Sequence, residues 1–98
     1  MSKSALDMFT KCLALELAHN GVRVNGIYPA PIKSGFYDNL GLTSDELDAI
    51  YEQIPQQIPL GRMVRPIENV NAVLFIASRD SSFVTGSTLV CEGGYLLK

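Results

Sequence analysis

The sequence has no run of basic residues. Its eight Lys and Arg are scattered among ten Asp and Glu, for a net charge of −2. A nucleic-acid-binding face needs concentrated positive charge to displace counterions from phosphates, so that class of partner is excluded. Cysteine is scarce as well: Cys12 and Cys91 stand far apart, no Cys-x-x-Cys pair exists, and His19 is the sole histidine. Metal-ligand spacing is therefore lacking, and the two cysteines read as buried free thiols in a reducing compartment. No apolar run approaches the roughly 18 residues of a membrane span. Residues 1–7 hold no signal-peptide apolar core. These absences predict a protein of the cytoplasm, or of an organelle, with no nucleic-acid, membrane or metal partner.

What is present is apolar. Hydrophobic residues make up 47% of the 98 and charged ones only 18%, which is too much oil for a body with so high a ratio of surface to volume. The length allows one domain, and such a chain must pack against something else or belong to a larger body. Residues 2–19 predict a helix with no Gly or Pro. Leu6, Phe9, Leu13 and Leu17 form one apolar stripe, and Ala5, Met8, Cys12 and Leu15 a second beside it. Lys3, Asp7 and Lys11 make the polar stripe. A helix so nearly apolar all round is expected to be buried on two sides, and Asn20-Gly21 should stop it.

Residues 22–27 predict a short strand, ended at Tyr28-Pro29-Ala30-Pro31. A helix is expected over 45–53, capped by Ser44 or Thr43 and broken by Pro55. A second core helix should run from about Pro66 to Ser78, burying Ile67, Val70, Val73, Leu74 and Ala77. A last strand over 87–91 closes at Gly93-Gly94. Two strands joined through a helical crossover should be parallel neighbours in a sheet covered on both faces. Two such strands do not make a self-sufficient sheet, so further strands are expected from elsewhere. Ligands of open α/β sheets bind beyond the carboxyl ends of the strands, which points to the loop beginning at Tyr28-Pro29. The proline-hinged, apolar segment at about 36–60 could close over a small substrate as a lid, or be an ordinary connection.

Several stretches then resemble one family, in its order and spacing. They are Lys3-x-Ala5-Leu6-Asp7, Leu13-Ala14-Leu15-Glu16-Leu17-Ala18, Gly21-Val22-Arg23-Val24-Asn25, Pro59-Leu60-Gly61-Arg62, Pro66-Ile67-Glu68, Val84-Thr85-Gly86 and Glu92-Gly93-Gly94. The resemblance is to the short-chain dehydrogenases/reductases and covers nearly the whole chain. It implies the C-terminal part of a single, Rossmann-like doubly wound α/β domain that binds NAD or NADP, lacking the N-terminal strands. The complete protein would be a homo-oligomeric oxidoreductase interconverting a small-molecule carbonyl and alcohol. NAD and NADP are not distinguished, and neither is the substrate.

By the same resemblance, Lys3 matches the lysine of the family's Tyr-x-x-x-Lys motif. That lysine holds the nicotinamide ribose and lowers the tyrosine's pKa. The tyrosine would fall two residues before Met1, and no tyrosine of this chain has a lysine four residues on. The loop that touches the nicotinamide carboxamide corresponds to Pro29, Ala30, Ile32 and Ser34. Ala30 stands where the family has glycine, a costly change if that backbone is left-handed and a silent one otherwise. Phe36, Tyr37 and Leu40 are the candidate substrate-lid residues. Glu92 replaces the family's usual Asp before Gly-Gly and is expected to serve a turn. No Gly-x-Gly occurs, so a phosphate-cradling turn of that type is missing. The expectation is a fragment inactive alone. The alternative is a non-catalytic module that pairs with a full-length relative.

Overall fold

The computed structural model describes residues 3–30 and 40–97. Helix α1 (Lys3–Leu17) tightens into a 3-10 turn over Ala18–Asn20. It stops at Gly21, whose φ of 73° and N–H bond to the Ala18 carbonyl are the left-handed stop expected from Asn-Gly. Strand β1 (Gly26–Pro29), helix α2 (Ser44–Gln57), helix α3 (Pro66–Ala77) and strand β2 (Thr88–Cys91) follow. β1 and β2 pair in parallel with Gly26 opposite Thr88 and Pro29 opposite Cys91, as the helical crossover requires. Among the described residues the sheet has these two strands.

Boundaries moved where side chains replace the ladder. The strand expected over 22–27 begins four residues later, at Gly26. Before it, Val24 is held by the Thr85 hydroxyl and by the Gly86 N–H. The Asn25 amide bridges the Val84 carbonyl and the Ser87 N–H. Regular pairing starts only when the Gly26 N–H reaches the Ser87 carbonyl at 2.9 Å. The strand then runs on through Pro29. The Gly26 and Ala30 N–H groups both point at β2, so by alternation the missing N–H of Pro29 falls on the other edge.

Helix α2 likewise passes through Pro55, where a break was expected. It opens with a capping box: the Thr43 hydroxyl accepts the Glu46 N–H, and the Glu46 carboxylate accepts the Thr43 N–H at 3.0 Å. Two carboxylates in its first turn, Asp45 and Glu46, add to that favourable start. Pro55 stands in the last turn, where few helical residues follow it, and the Ile58 N–H closes the helix on the Pro55 carbonyl.

The expected core faces are only partly covered within this chain, with Leu13 and Leu17 half-buried. Along α1 the buried residues are Thr10 and Ala14, whereas Leu6, Met8, Phe9 and Leu15 are exposed. The seated stripe is Asp7, Thr10 and Ala14, at i, i+3 and i+7. A Cβ added to Gly26 would meet the Thr10 hydroxyl at 3.8 Å, and one on Gly86 would meet the Ala14 methyl at 3.6 Å. Small residues facing glycines let the helix approach the sheet closely, and Leu6, Met8, Phe9 and Leu15 are left outside. Helix α3 behaves the same way: Ile67, Val70, Val73 and Leu74 are exposed, while Asn69, Ala72 and Ile76 are half-buried. Cys12, expected inside, is exposed on the outer side of α1; both cysteines are free.

The chain therefore exposes 7139 Å², where a compact chain of its mass exposes about 5500 Å². Its radius of gyration, 16.4 Å, exceeds the value of about 13 Å for a compact domain of this length. Among the described residues the buried apolar ones are Ala14, Ala30 and Ile58. No described helix is long and apolar enough to cross a membrane.

Candidate functional site

The carboxyl ends of β1 and β2 form one edge of the molecule, and three devices set its shape. The first is the seating of α1, which runs antiparallel to β1. Thr10 lies over the start of β1 at Gly26, while Ser4 shares a groove of about 400 Å³ with Tyr28 near its end. The first turn of α1, which begins at Lys3, thus stands toward the carboxyl ends of the strands. In the same groove the Asp7 carboxylate accepts hydrogen bonds from the Thr88 hydroxyl (2.7 Å) and from the Lys11 ammonium (2.6 Å). These two bonds, Lys11 first, hold the Asp7 carboxyl below its ordinary pKa.

The second device is the end of β1. Ala30 is buried and its N–H donates to the Cys91 carbonyl at 2.9 Å. No described non-glycine residue has a positive φ, so Ala30 sits at the end of β1 without left-handed backbone strain. Pro29 beside it is exposed.

The third is a strap over residues 58–64. Ile58 is buried against Gly93, so close that a Cβ on Gly93 would lie 2.6 Å from its Cγ2. The Leu60 N–H donates to the Gly93 carbonyl at 3.1 Å. At the far end Arg62 forks onto both Glu68 oxygens, at 2.8 and 2.9 Å, and the Arg65 N–H adds a third bond. The hydrogen bond from Arg62, followed by the one from the Arg65 backbone, holds Glu68 far below the usual carboxylate range. Between strap and sheet lies a cavity of about 160 Å³ lined by Ala30, Ile58, Val64 and Cys91.

Of the sequence-derived site residues, Lys3 opens α1, Pro29 ends β1 and Ala30 follows it, and their chain neighbours Ser4 and Tyr28 share the groove. Ile32, Ser34, Phe36 and Tyr37 lie outside the described residues. Leu40 is exposed and lines neither of the two cavities. Glu92 does serve a turn: it is buried, and its Oε2 accepts the Leu96 N–H at 2.7 Å.

Sequence reasoning missed Arg23. Its guanidinium donates to the carbonyls of Ile76, Ser78, Ser81 and Val84 and to the Ser81 hydroxyl, at 2.8–3.3 Å. It thus knits the end of α3 and the 79–84 turn to the approach of β1. Its signal was an arginine between two valines in an otherwise strand-like run.

Comparison with known proteins agrees with this geometry. The family described as enoyl-(acyl carrier protein) reductase matches residues 1–96. A 3-oxoacyl-(acyl-carrier-protein) reductase of Rickettsia bellii is 42% identical over 96 residues, covering 98% of this chain and 37% of its own length. A peroxisomal 2,4-dienoyl-CoA reductase of Danio rerio is 44% identical over 94 residues, covering 95% and 30%. The crystal structure of a Caenorhabditis elegans short-chain dehydrogenase/reductase with cofactor superposes with a TM-score of 0.83 and 33% identity, over 97% of this chain and 36% of that one. The chain therefore spans roughly a third of the length of such relatives and a part of their Rossmann fold. It belongs to the short-chain dehydrogenase/reductase family.

Proposed function

We propose that the chain is the C-terminal part of an NAD- or NADP-dependent oxidoreductase that interconverts a carbonyl and an alcohol, and that it has no turnover alone. The observation that carries this reading is the antiparallel seating of α1 on β1, with the Lys3 turn and Pro29–Ala30 at one end of the sheet. Lys3 binds the nicotinamide ribose, and the segment from Pro29 through Ala30, Ile32 and Ser34 takes the carboxamide. The residues present suit the nicotinamide half of the cofactor. With no Gly-x-Gly in the sequence, the diphosphate must be held by residues this chain does not supply.

When bound, the nicotinamide supplies or accepts the hydride. The chain's own part is electrostatic. Lys3 puts a positive charge at the start of α1, where the helix dipole adds a partial charge of the same sign. Together they favour the deprotonated form of a nearby hydroxyl acid and so bring its pKa toward the working range. The segment at about 36–60 is read as a lid over the substrate, with Phe36, Tyr37 and Leu40 as its candidate substrate contacts. The domain is read as a single unit, residues 1–98 forming its C-terminal part.

The test joins this chain to the upstream portion of a family member and follows NADH and NADPH oxidation with a carbonyl substrate. Turnover by the joined protein, lost at least about a hundredfold in Lys3→Ala, is expected. Turnover by the 98 residues alone, or full activity of the Lys3 variant, overturns the reading. The uncovered side chains of α1 and α3 favour a second reading, a non-catalytic module that pairs with a full-length relative. Association without any dependence on Lys3 would mark that case.

A further inference from the structure

Helix α1 carries the residue on which the proposed chemistry depends, yet it is lightly seated. Its contact stripe is Asp7, Thr10 and Ala14, and Lys3 takes the helical position one turn before Asp7 on the same stripe. Two of the three seatings are van der Waals approaches: Ala14 at Gly86 and Thr10 at Gly26. The third is directional. The Thr88 hydroxyl, 81 residues away in sequence, donates to Asp7 Oδ1 at 2.7 Å, while Lys11 engages Oδ2 at 2.6 Å from the next turn. Asp7 is therefore the residue nearest Lys3 along this stripe that is tied by a hydrogen bond to the sheet. The rigid part beneath it is sound: Thr88 is paired with Gly26 in the β ladder.

We propose that Asp7 and Thr88 form a clasp that positions Lys3, by holding the first turns of α1 at the carboxyl end of the sheet. The inference rests on the reading of Lys3 given above. Neither residue touches the reacting atoms. Thr88 acts on Asp7, Asp7 fixes the rotation and height of the helix start, and the helix carries Lys3. Without the clasp the helix would still rest on Thr10 and Ala14, but its first turns would pivot about them. The Lys11 bond cannot replace the clasp, because Lys11 lies on the same helix and moves with it.

Thr88→Val is the informative change, because it keeps shape and charge while removing the hydrogen bond; Thr88→Ser keeps the hydroxyl. In the 98-residue chain, amide exchange over residues 7–11 should rise about three- to tenfold in Thr88→Val, with residues 70–77 unchanged and Thr88→Ser at the wild-type rate. In the joined enzyme, the pH midpoint for alcohol oxidation should move upward by about half a unit in Thr88→Val, since a displaced lysine lowers its neighbour's pKa less. A merely structural role would reduce the amount of active enzyme and leave the midpoint in place. Unchanged exchange, or an active enzyme with an unchanged midpoint, overturns the clasp while the reading of Lys3 stands. An inactive wild-type joined enzyme overturns both.

Discussion

Replacing Arg23 by Met should be among the most damaging single changes in the described part of the chain. The methionine keeps much of the stem but loses every donor of the guanidinium. Three of its bonds are short, at 2.8 Å to the Ser81 carbonyl, 3.0 Å to the Ser81 hydroxyl and 3.1 Å to the Ser78 carbonyl; the two at 3.3 Å are long and weak. A hydrogen bond from a charged donor contributes about 1.5–3 kcal/mol, so a simple sum over three would exceed 4 kcal/mol. The sum overshoots, because the acceptors keep other partners. The Ser81 hydroxyl still donates to the Ile76 carbonyl, the Ser81 N–H still serves the Ser78 carbonyl, the Val84 N–H still serves the Ser81 carbonyl, and the Asn25 amide still serves Val84. No carbonyl is orphaned, and a loss of about 2–4 kcal/mol is expected. With a urea slope of about 1–1.5 kcal/mol/M for so small a chain, the midpoint should fall by about 2 M in far-UV circular dichroism. Arg23→Lys, with three donors at one point, should fall roughly half as far. A midpoint for Arg23→Met within about 0.3 M of wild type would refute the role assigned to this residue.

Gly93→Ala combines a left-handed φ of 66° with a Cβ 2.6 Å from Ile58. It should cost about 2–4 kcal/mol and speed amide exchange at the end of α2. Ala30→Gly should give no gain in thermal stability, since Ala30 is not in the left-handed region; a rise in melting temperature would contradict the silent-substitution reading. Thr43→Ala removes the hydroxyl half of the α2 capping box and should cost about 1 kcal/mol by urea titration, with α3 untouched. Glu68 has a folded pKa below its unfolded value, so its contribution is fully present above the ordinary carboxylate range and fades as pH falls toward the folded value. The stability gap between wild type and Glu68→Gln should therefore be constant above about pH 5 and shrink below it; a gap that widens on acidification would show the sign to be wrong.

Element order was legible because it depends on local chemistry: Asn20-Gly21 stops a helix, Pro66 starts one, and a helix between strands makes them parallel. The proposal of a site at the carboxyl end of β1 rests on the same topological reasoning. What the sequence misrepresented was the facing. Apolar stripes such as Leu6, Phe9 and Leu13 outrank Asp7, Thr10 and Ala14 on any hydrophobic pattern, yet close approach to Gly26 and Gly86 selects the small residues. Hydrophobic periodicity reports every surface a helix covers in its complete setting, and a chain spanning a third of its relatives leaves some of those surfaces open. Pro55 was misread because a proline near a helix end costs less than one in its middle. Arg23 and the Asp7–Thr88 bond were out of reach, since each joins residues more than 50 apart.

Titration of the purified 98-residue chain with NADH and NADPH, read by cofactor fluorescence beside a sedimentation run, bears most directly on whether these residues are one part of a nicotinamide site. No saturable binding by the chain alone, with binding regained when the upstream portion of a family member is joined, is the predicted result. Tight binding by a single compact species of the chain alone would show that it builds a complete cofactor site unaided, and would contradict the division of labour proposed for Lys3 and the Pro29–Ser34 segment.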